Sequence, residues 1–208
     1  MRRRICVLTA CSAVLLTLLV CAGSVSATYW SGSWLWSPAS SVLLLHYVNN
    51  AGADGKLANA ADRAAVDWSN TPTVVDLQSS PPDAVISIGL TYNSTVSWDG
   101  YTHIYAGSTE IFNHSCINPC GGSNNYTSAT ITLNQYRMDG YTDLVVEAVA
   151  EHEFGHSLGL GHPKHASGKT TCSSIMYTPV NVYQPQAYDD SNLNTLYPNS
   201  SYSPTSPC

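Results

Sequence analysis

The chain has 208 residues, 44% of them hydrophobic and only 11% charged, with eight Lys and Arg against fourteen Asp and Glu. An acidic balance of this kind excludes a basic nucleic-acid-binding surface as the basis of function. The length suits one domain with a core large enough to stand alone.

The first element is an address. "MRRR" followed by the apolar run "ICVLTACSAVLLTLLVCAGSV" has the charged start and apolar middle of a secretory signal, with a small-x-small site at Val25-Ser26-Ala27. Residues 1–27 are therefore read as a signal peptide and residues 28–208 as a single exported domain, secreted and with no membrane association once the signal is removed. Losing Arg2, Arg3 and Arg4 leaves five basic against fourteen acidic residues, a formal charge of −9. Four cysteines remain, Cys116, Cys120, Cys172 and Cys208, and in an exported chain an even number of this kind predicts disulfides. The preferred pairing is Cys116 with Cys120 and Cys172 with Cys208, although four cysteines allow three pairings.

The mature start, "TYWSGSWLWSP", lies within a Trp-rich segment (residues 28–41) and places Trp30, Trp34 and Trp36 close together. Packing onto the body, to pin the chain end, is preferred over a sugar- or surface-binding strip because buried Trp contributes a large apolar area. "SVLLLHYVNN" reads as a first strand ended by Asn-Asn. "GKLANAADRAAVDWSN" carries Leu57, Ala60 or Ala61, Ala64 and Trp68 at three-to-four spacing, an amphipathic helix closed before Thr71-Pro72. "TPTVVDLQ", "DAVISIGL" and "ATITLN" read as further strands, as does "THIYAG" with a fainter pattern. Residues 113–128, rich in Gly, Asn and Pro, read as a loop. The tail at 199–208 is Pro/Ser-rich. Strand, helix, several strands and a later helix make the class α/β or α+β.

That later helix carries the chemistry. Thr142 or Asp143 can cap its start, and Leu144, Val145, Ala148, Val149, His152 and His156 fall along one stripe. Four residues rise about 6 Å and slightly overshoot a full turn, so both imidazoles reach one ion at roughly 2.0 Å, the usual zinc–nitrogen distance. Glu153 projects beside the ion instead of onto it, the position of a general base. A third ligand must come from His162, His165, Asp189 or Asp190, since no glutamate follows Glu153. Only His162 is preceded by a glycine, Gly159, placed to end the helix in the left-handed conformation and turn the chain back. A bare pair of histidines four apart is compatible with ordinary hydrogen bonding; the added glycine and third histidine make the zinc reading specific.

With "HEFGHSLGLGH" and "SSIMY" fourteen residues beyond His162, the sequence resembles the metzincin zinc endopeptidases, and among them the matrixins, the matrix-metalloproteinase type. "AADRAAVDWSNTP" is similar to the family's first helix and following turn, and "YDDSNLNTLYP" to its last helix. The resemblance implies an α+β zincin: a twisted, mostly parallel sheet with an antiparallel edge strand, the first helix and the active-site helix packed on it, and a small C-terminal part with a Met-turn and final helix. It implies catalytic zinc on His152, His156 and His162, Glu153 as base, Met176 as the apolar floor of the site, and paired acids Asp189 and Asp190 bracing the fold. Tyr177, Thr178, Pro179, Val180 and Tyr183 would form part of the wall of the main specificity pocket, with a protein or peptide substrate extended along an edge strand such as "THIYAG". Thr178 stands where astacin-type and serralysin-type relatives have a zinc-associated tyrosine. The family's segment for structural zinc and calcium is not recognisable, with His103 and His114 lacking its spacing, so Ca2+ has no supporting site. No cysteine lies between Thr28 and Ser41 to block the zinc. A monomer acting on peptide substrates is expected; the competing reading is a secreted, non-catalytic zinc-containing adhesion module, against which an intact Glu153 argues.

Overall fold

The structure is a computed structural model that describes residues 32–35, 41–52, 54–111, 125–163 and 173–198. Trp30, Trp36, His114, His165, Cys116, Cys120, Cys172 and Cys208 lie outside the described residues, as do both ends of the chain.

Its elements in chain order are β1 (Ser33–Trp34), β2 (Leu43–Asn49), α1 (Gly55–Ser69), β3 (Val75–Ser79), β4 (Ile86–Thr91), β5 (Gly100–Ala106), β6 (Thr109–Glu110), β7 (Asn125–Tyr126), β8 (Ser128–Asn134), a single turn α2 (Gln135–Met138), α3 (Asp143–Ser157) and α4 (Ala187–Leu196). A six-stranded sheet runs in the order β3-β2-β4-β8-β5-β6. β2, β3, β4 and β8 are mutually parallel and β5 runs antiparallel to β8, as the α+β expectation requires. The antiparallel strand is itself flanked at one end by β6, which pairs only with Tyr105 and Ala106.

Alternation along the strands decides what faces the helices. In β2, Leu43, Leu45 and Tyr47 are buried, and in β5 Thr102 and Ile104 are buried between more exposed neighbours. Helix α1 begins at Asp54, whose side chain accepts from the Lys56 and Leu57 amides and so satisfies two first-turn donors. Its buried face, Leu57, Ala60, Ala61, Ala64, Ala65 and Trp68, is mostly alanine, which lets α3 approach closely. Trp68 is fully buried and its indole Nε1 donates to the Glu151 carbonyl of α3 at 2.9 Å.

Three details depart from the sequence reading. The stretch 113–128 is not loop throughout: Asn125 and Tyr126 pair in parallel with Ser33 and Trp34, and β8 begins at Ser128. Leu144 does not belong to the buried stripe of α3 but is 58% exposed, since the helix enters the core only from Val146 onward. From Ala148 to Ser157 every residue is buried, so this half of α3 is enclosed on all sides instead of amphipathic. Trp34 does pack onto the body: its indole donates to the Ser157 carbonyl at 2.9 Å and its ring meets Tyr126 edge-on.

Candidate active site

Thr142 caps α3, accepting from the Val145 amide at 3.4 Å, and Asp143 occupies the first turn, where its charge favours the helix dipole. The helix carries His152, Glu153 and His156 into the core beneath β5, where all three are buried. It ends at Leu158, and Gly159 follows with φ of +100°, a conformation that side-chain-bearing residues rarely adopt. A Cβ there would also stand 3.2 Å from Leu196. The reversal anchors Leu160 in the core and returns the chain so that His162 faces the helix.

The three imidazoles converge. His162 Nε2 lies 3.0 Å from His152 Nε2 and 3.1 Å from His156 Nε2. On their far sides, His152 Nδ1 donates to the Ile175 carbonyl and His156 Nδ1 to the Leu160 carbonyl, both at 2.8 Å. Those carbonyls can only accept, so each ring carries its proton on Nδ1 and turns the Nε2 lone pair inward. Lone pairs pointed at one another repel unless a cation lies between them. The edge of a tetrahedron with zinc–nitrogen bonds of 2.0–2.1 Å is roughly 3.3 Å, close to the spacing observed, and an imidazole donor set with carbonyl-fixed tautomers fits zinc. His162 therefore joins the pair; Asp189 and Asp190 stand away from it on α4, and Thr178 Oγ1 is 3.3 Å from His162 Nε2.

Glu153 sits beside the triad. Its Oε2 accepts from Thr102 Oγ1 at 2.6 Å, and a Cβ on Gly100 would stand 2.8 Å from Oε1, so β5 passes close against the carboxyl. Burial pushes this carboxyl up to about 8, the Thr102 hydroxyl pulls it down, and the charge of Asp99 raises it. The cleft of about 250 Å³ above has Ser97, Trp98, Asp99 and Gly100 on one side, the histidines, Glu153 and Val149 as its floor, and Thr178 and Val180 opposite. Of the five residues expected in the pocket wall, Thr178 and Val180 line the cleft; Tyr177, Pro179 and Tyr183 do not, and Tyr183 is 52% exposed.

Beneath the floor, Met176 is buried with its sulfur against Gly155: a Cβ on that glycine would stand 2.3 Å from Sδ and 3.0 Å from the Trp68 ring. The turn holding Met176 is clamped by Asp189, which accepts from Ser174 Oγ at 2.5 Å, from the Ile175 amide at 2.9 Å and from the Gln186 amide at 2.9 Å. Burial raises Asp189 to about 6 against the pull of these three donors. Asp189 thus braces the turn as expected, whereas Asp190 leaves Oδ1 without a hydrogen-bond partner among the described residues. Sequence reading missed Thr102, Gly100 and the Ser97–Asp99 rim, for they reach the site across a strand about fifty positions away and carry no local pattern.

Two buried imidazoles on one helix and a third, exposed one returned by its reversal, with a carboxyl beside them in an open cleft under a sheet edge, define a zinc-dependent hydrolase site of the peptidase type. Residues 44–198 match the matrixin peptidases, and the chain belongs to that family. It is accordingly a zinc metalloendopeptidase, and catalytic zinc is its cofactor. Among solved structures it is similar to high choriolytic enzyme 1, a hatching enzyme zinc-protease from Oryzias latipes (medaka fish), at 13% identity over 79% of this chain and 94% of that one, with a TM-score of 0.46. It is also similar to myroilysin, at 14% identity over 83% of this chain and 91% of that one, with a TM-score of 0.48. No curated protein matches the chain.

Proposed function

We propose that the protein is a secreted endopeptidase in which His152, His156 and His162 hold the zinc and Glu153 is the general base. The observation that carries this reading is the approach of His162 Nε2 to within 3.1 Å of both helix imidazoles, next to a buried carboxyl that opens on the same cleft. When bound, zinc polarises the scissile carbonyl and lowers the pKa of water towards about 7.

The remaining work falls to the chain. With a cation held by the three histidines Glu153 would be favoured as carboxylate in spite of its burial, and its role is to take a proton from water and deliver it to the leaving amine nitrogen. Thr102 anchors Oε2, which leaves Oε1, beside Gly100, for that exchange. Among the described residues, β6 and Ile111 cover only the Ile104–Ala106 end of β5, which favours a substrate peptide aligned along its Gly100–His103 stretch by strand addition, with a side chain directed at Val149 and Val180. Export rests on residues 1–27 and the expected disulfides.

The test is cleavage of a quenched peptide library by residues 28–208, beside Glu153→Gln and a chelator-treated sample. Chelator-sensitive cleavage that Glu153→Gln abolishes, with one zinc per chain retained in the variant, is expected; full activity in the variant would overturn the assignment of the base.

A further inference from the structure

A second group of acidic side chains lies between α1 and α3, apart from the histidines. One carboxylate oxygen each from Asp67 of α1 and Glu147 and Glu151 of α3 lies within 4.8 Å of the others. Glu151 is fully buried, and neither of its oxygens has a hydrogen-bond donor among the described residues. Arg63 pairs with Glu147 through its Nε, and Gln184 Nε2 reaches Asp67 Oδ2 at 3.4 Å. Burial and the neighbouring Asp67 favour the protonated form of Glu151, so an ionised set of three carboxylates facing one guanidinium costs folding free energy unless a cation enters.

An independent observation points the same way. Asp190, on α4, is 8% exposed with Oδ1 lacking a partner among the described residues, and with Asp67, Asn70 and Gln184 it lines a surface depression. A neighbouring depression is lined by Arg63, Asp67 and Glu147. Asp67 is on the rim of both and Glu147 on the rim of one, whereas Glu151 lines neither, so an ion would enter past Asp67 and Glu147 to reach it.

We propose that Asp67, Glu147 and Glu151 bind a calcium-class divalent cation that ties α1 to α3 one residue away from His152. The donors are all oxygen, which selects a hard ion over zinc. Calcium–oxygen distances of 2.3–2.6 Å put opposed ligands about 4.6–5.2 Å apart, the size of this cluster, and water from the depressions completes the six to eight ligands calcium takes. The competing occupant is a proton shared between the carboxyls of Asp67 and Glu151.

Terbium luminescence on the zinc-loaded protein separates the two, because the Trp68 indole that donates to the Glu151 carbonyl is placed to sensitise an ion there. The expected result is tryptophan-excited terbium emission that calcium displaces. Glu151→Gln and, should that variant not fold, Glu147→Gln at the partly exposed rim each weaken the site at least about tenfold with zinc content unchanged. Calcium should also raise the melting temperature of the wild type and not of these variants. Emission and calcium response identical in wild type and variants, or no calcium response in the wild type, overturns the site and leaves the shared proton as the explanation.

Discussion

The hydroxyl of Thr102 lies 2.6 Å from Glu153 Oε2 and 3.0 Å from the carbonyl of the same residue, so one side chain from β5 grips both ends of the residue beside the triad. A hydrogen bond to a charged group contributes about 1.5–3 kcal/mol. Thr102→Val keeps the shape and removes the donor, and is expected to lower kcat about tenfold to a hundredfold with KM little changed. Since the hydroxyl lowers the Glu153 pKa, its loss moves the acid limb of the kcat/KM profile to higher pH, whereas Thr102→Ser restores it. An unchanged profile in the valine variant would show that Thr102 only fills space.

Gly155 allows the Met-turn to dock. With a Cβ there 2.3 Å from Met176 Sδ and 3.0 Å from Trp68, Gly155→Ala overpacks a core in which both neighbouring side chains are buried. A loss of about 1–3 kcal/mol is expected in denaturant unfolding. Because Ile175, one residue earlier, holds the His152 ring, zinc affinity should fall as well, by about tenfold to a hundredfold in chelator competition.

What was legible in the sequence was what repeats locally. His152, Glu153, His156, Gly159 and His162 lie within eleven residues, and helix geometry plus one left-handed glycine is enough to bring them together. Strands β2, β3, β4, β5 and β8 and helices α1 and α3 likewise followed from apolar period and breakers. Contacts between distant segments left no such mark. Thr102 meets Glu153 across 51 positions, Ser33–Trp34 pairs with Asn125–Tyr126, and Gly155 answers to Met176, each decided by tertiary packing. Helix period also misplaced Leu144, because the stripe it suggests assumes one buried face while α3 passes from a solvent-facing first turn to complete enclosure.

Trp34 joins β1 to the end of the active-site helix. Its indole donates to Ser157, its amide donates to the Tyr197 hydroxyl at 3.2 Å, and that hydroxyl donates in turn to the Leu158 carbonyl at 2.9 Å, so orphan carbonyls at the helix end are satisfied from outside. Trp34→Ala is expected to cost about 3–5 kcal/mol. Hydrogen exchange should show the loss first at the Leu158–Leu160 reversal that positions His162. Uniform destabilisation with that reversal still protected would separate Trp34 from the site.

Asp190 gives a pH-dependent prediction. Burial, and then the charge of Asp189, raises its carboxyl from 3.8 to about 7. A carboxyl whose pKa is higher folded than unfolded binds extra protons in the native state. Its contribution therefore favours folding below about pH 4 and is lost as pH rises to about 7. In calcium-free buffer Asp190→Asn, which cannot ionise, should be more stable than wild type near pH 8 by about 1–2 kcal/mol once solvent screening at the depression is allowed for, and no more stable near pH 4. Denaturant titrations of both proteins at these two pH values make the comparison. A variant less stable than the wild type at pH 8 would mean that a partner holds the ionised carboxylate, and would overturn the prediction.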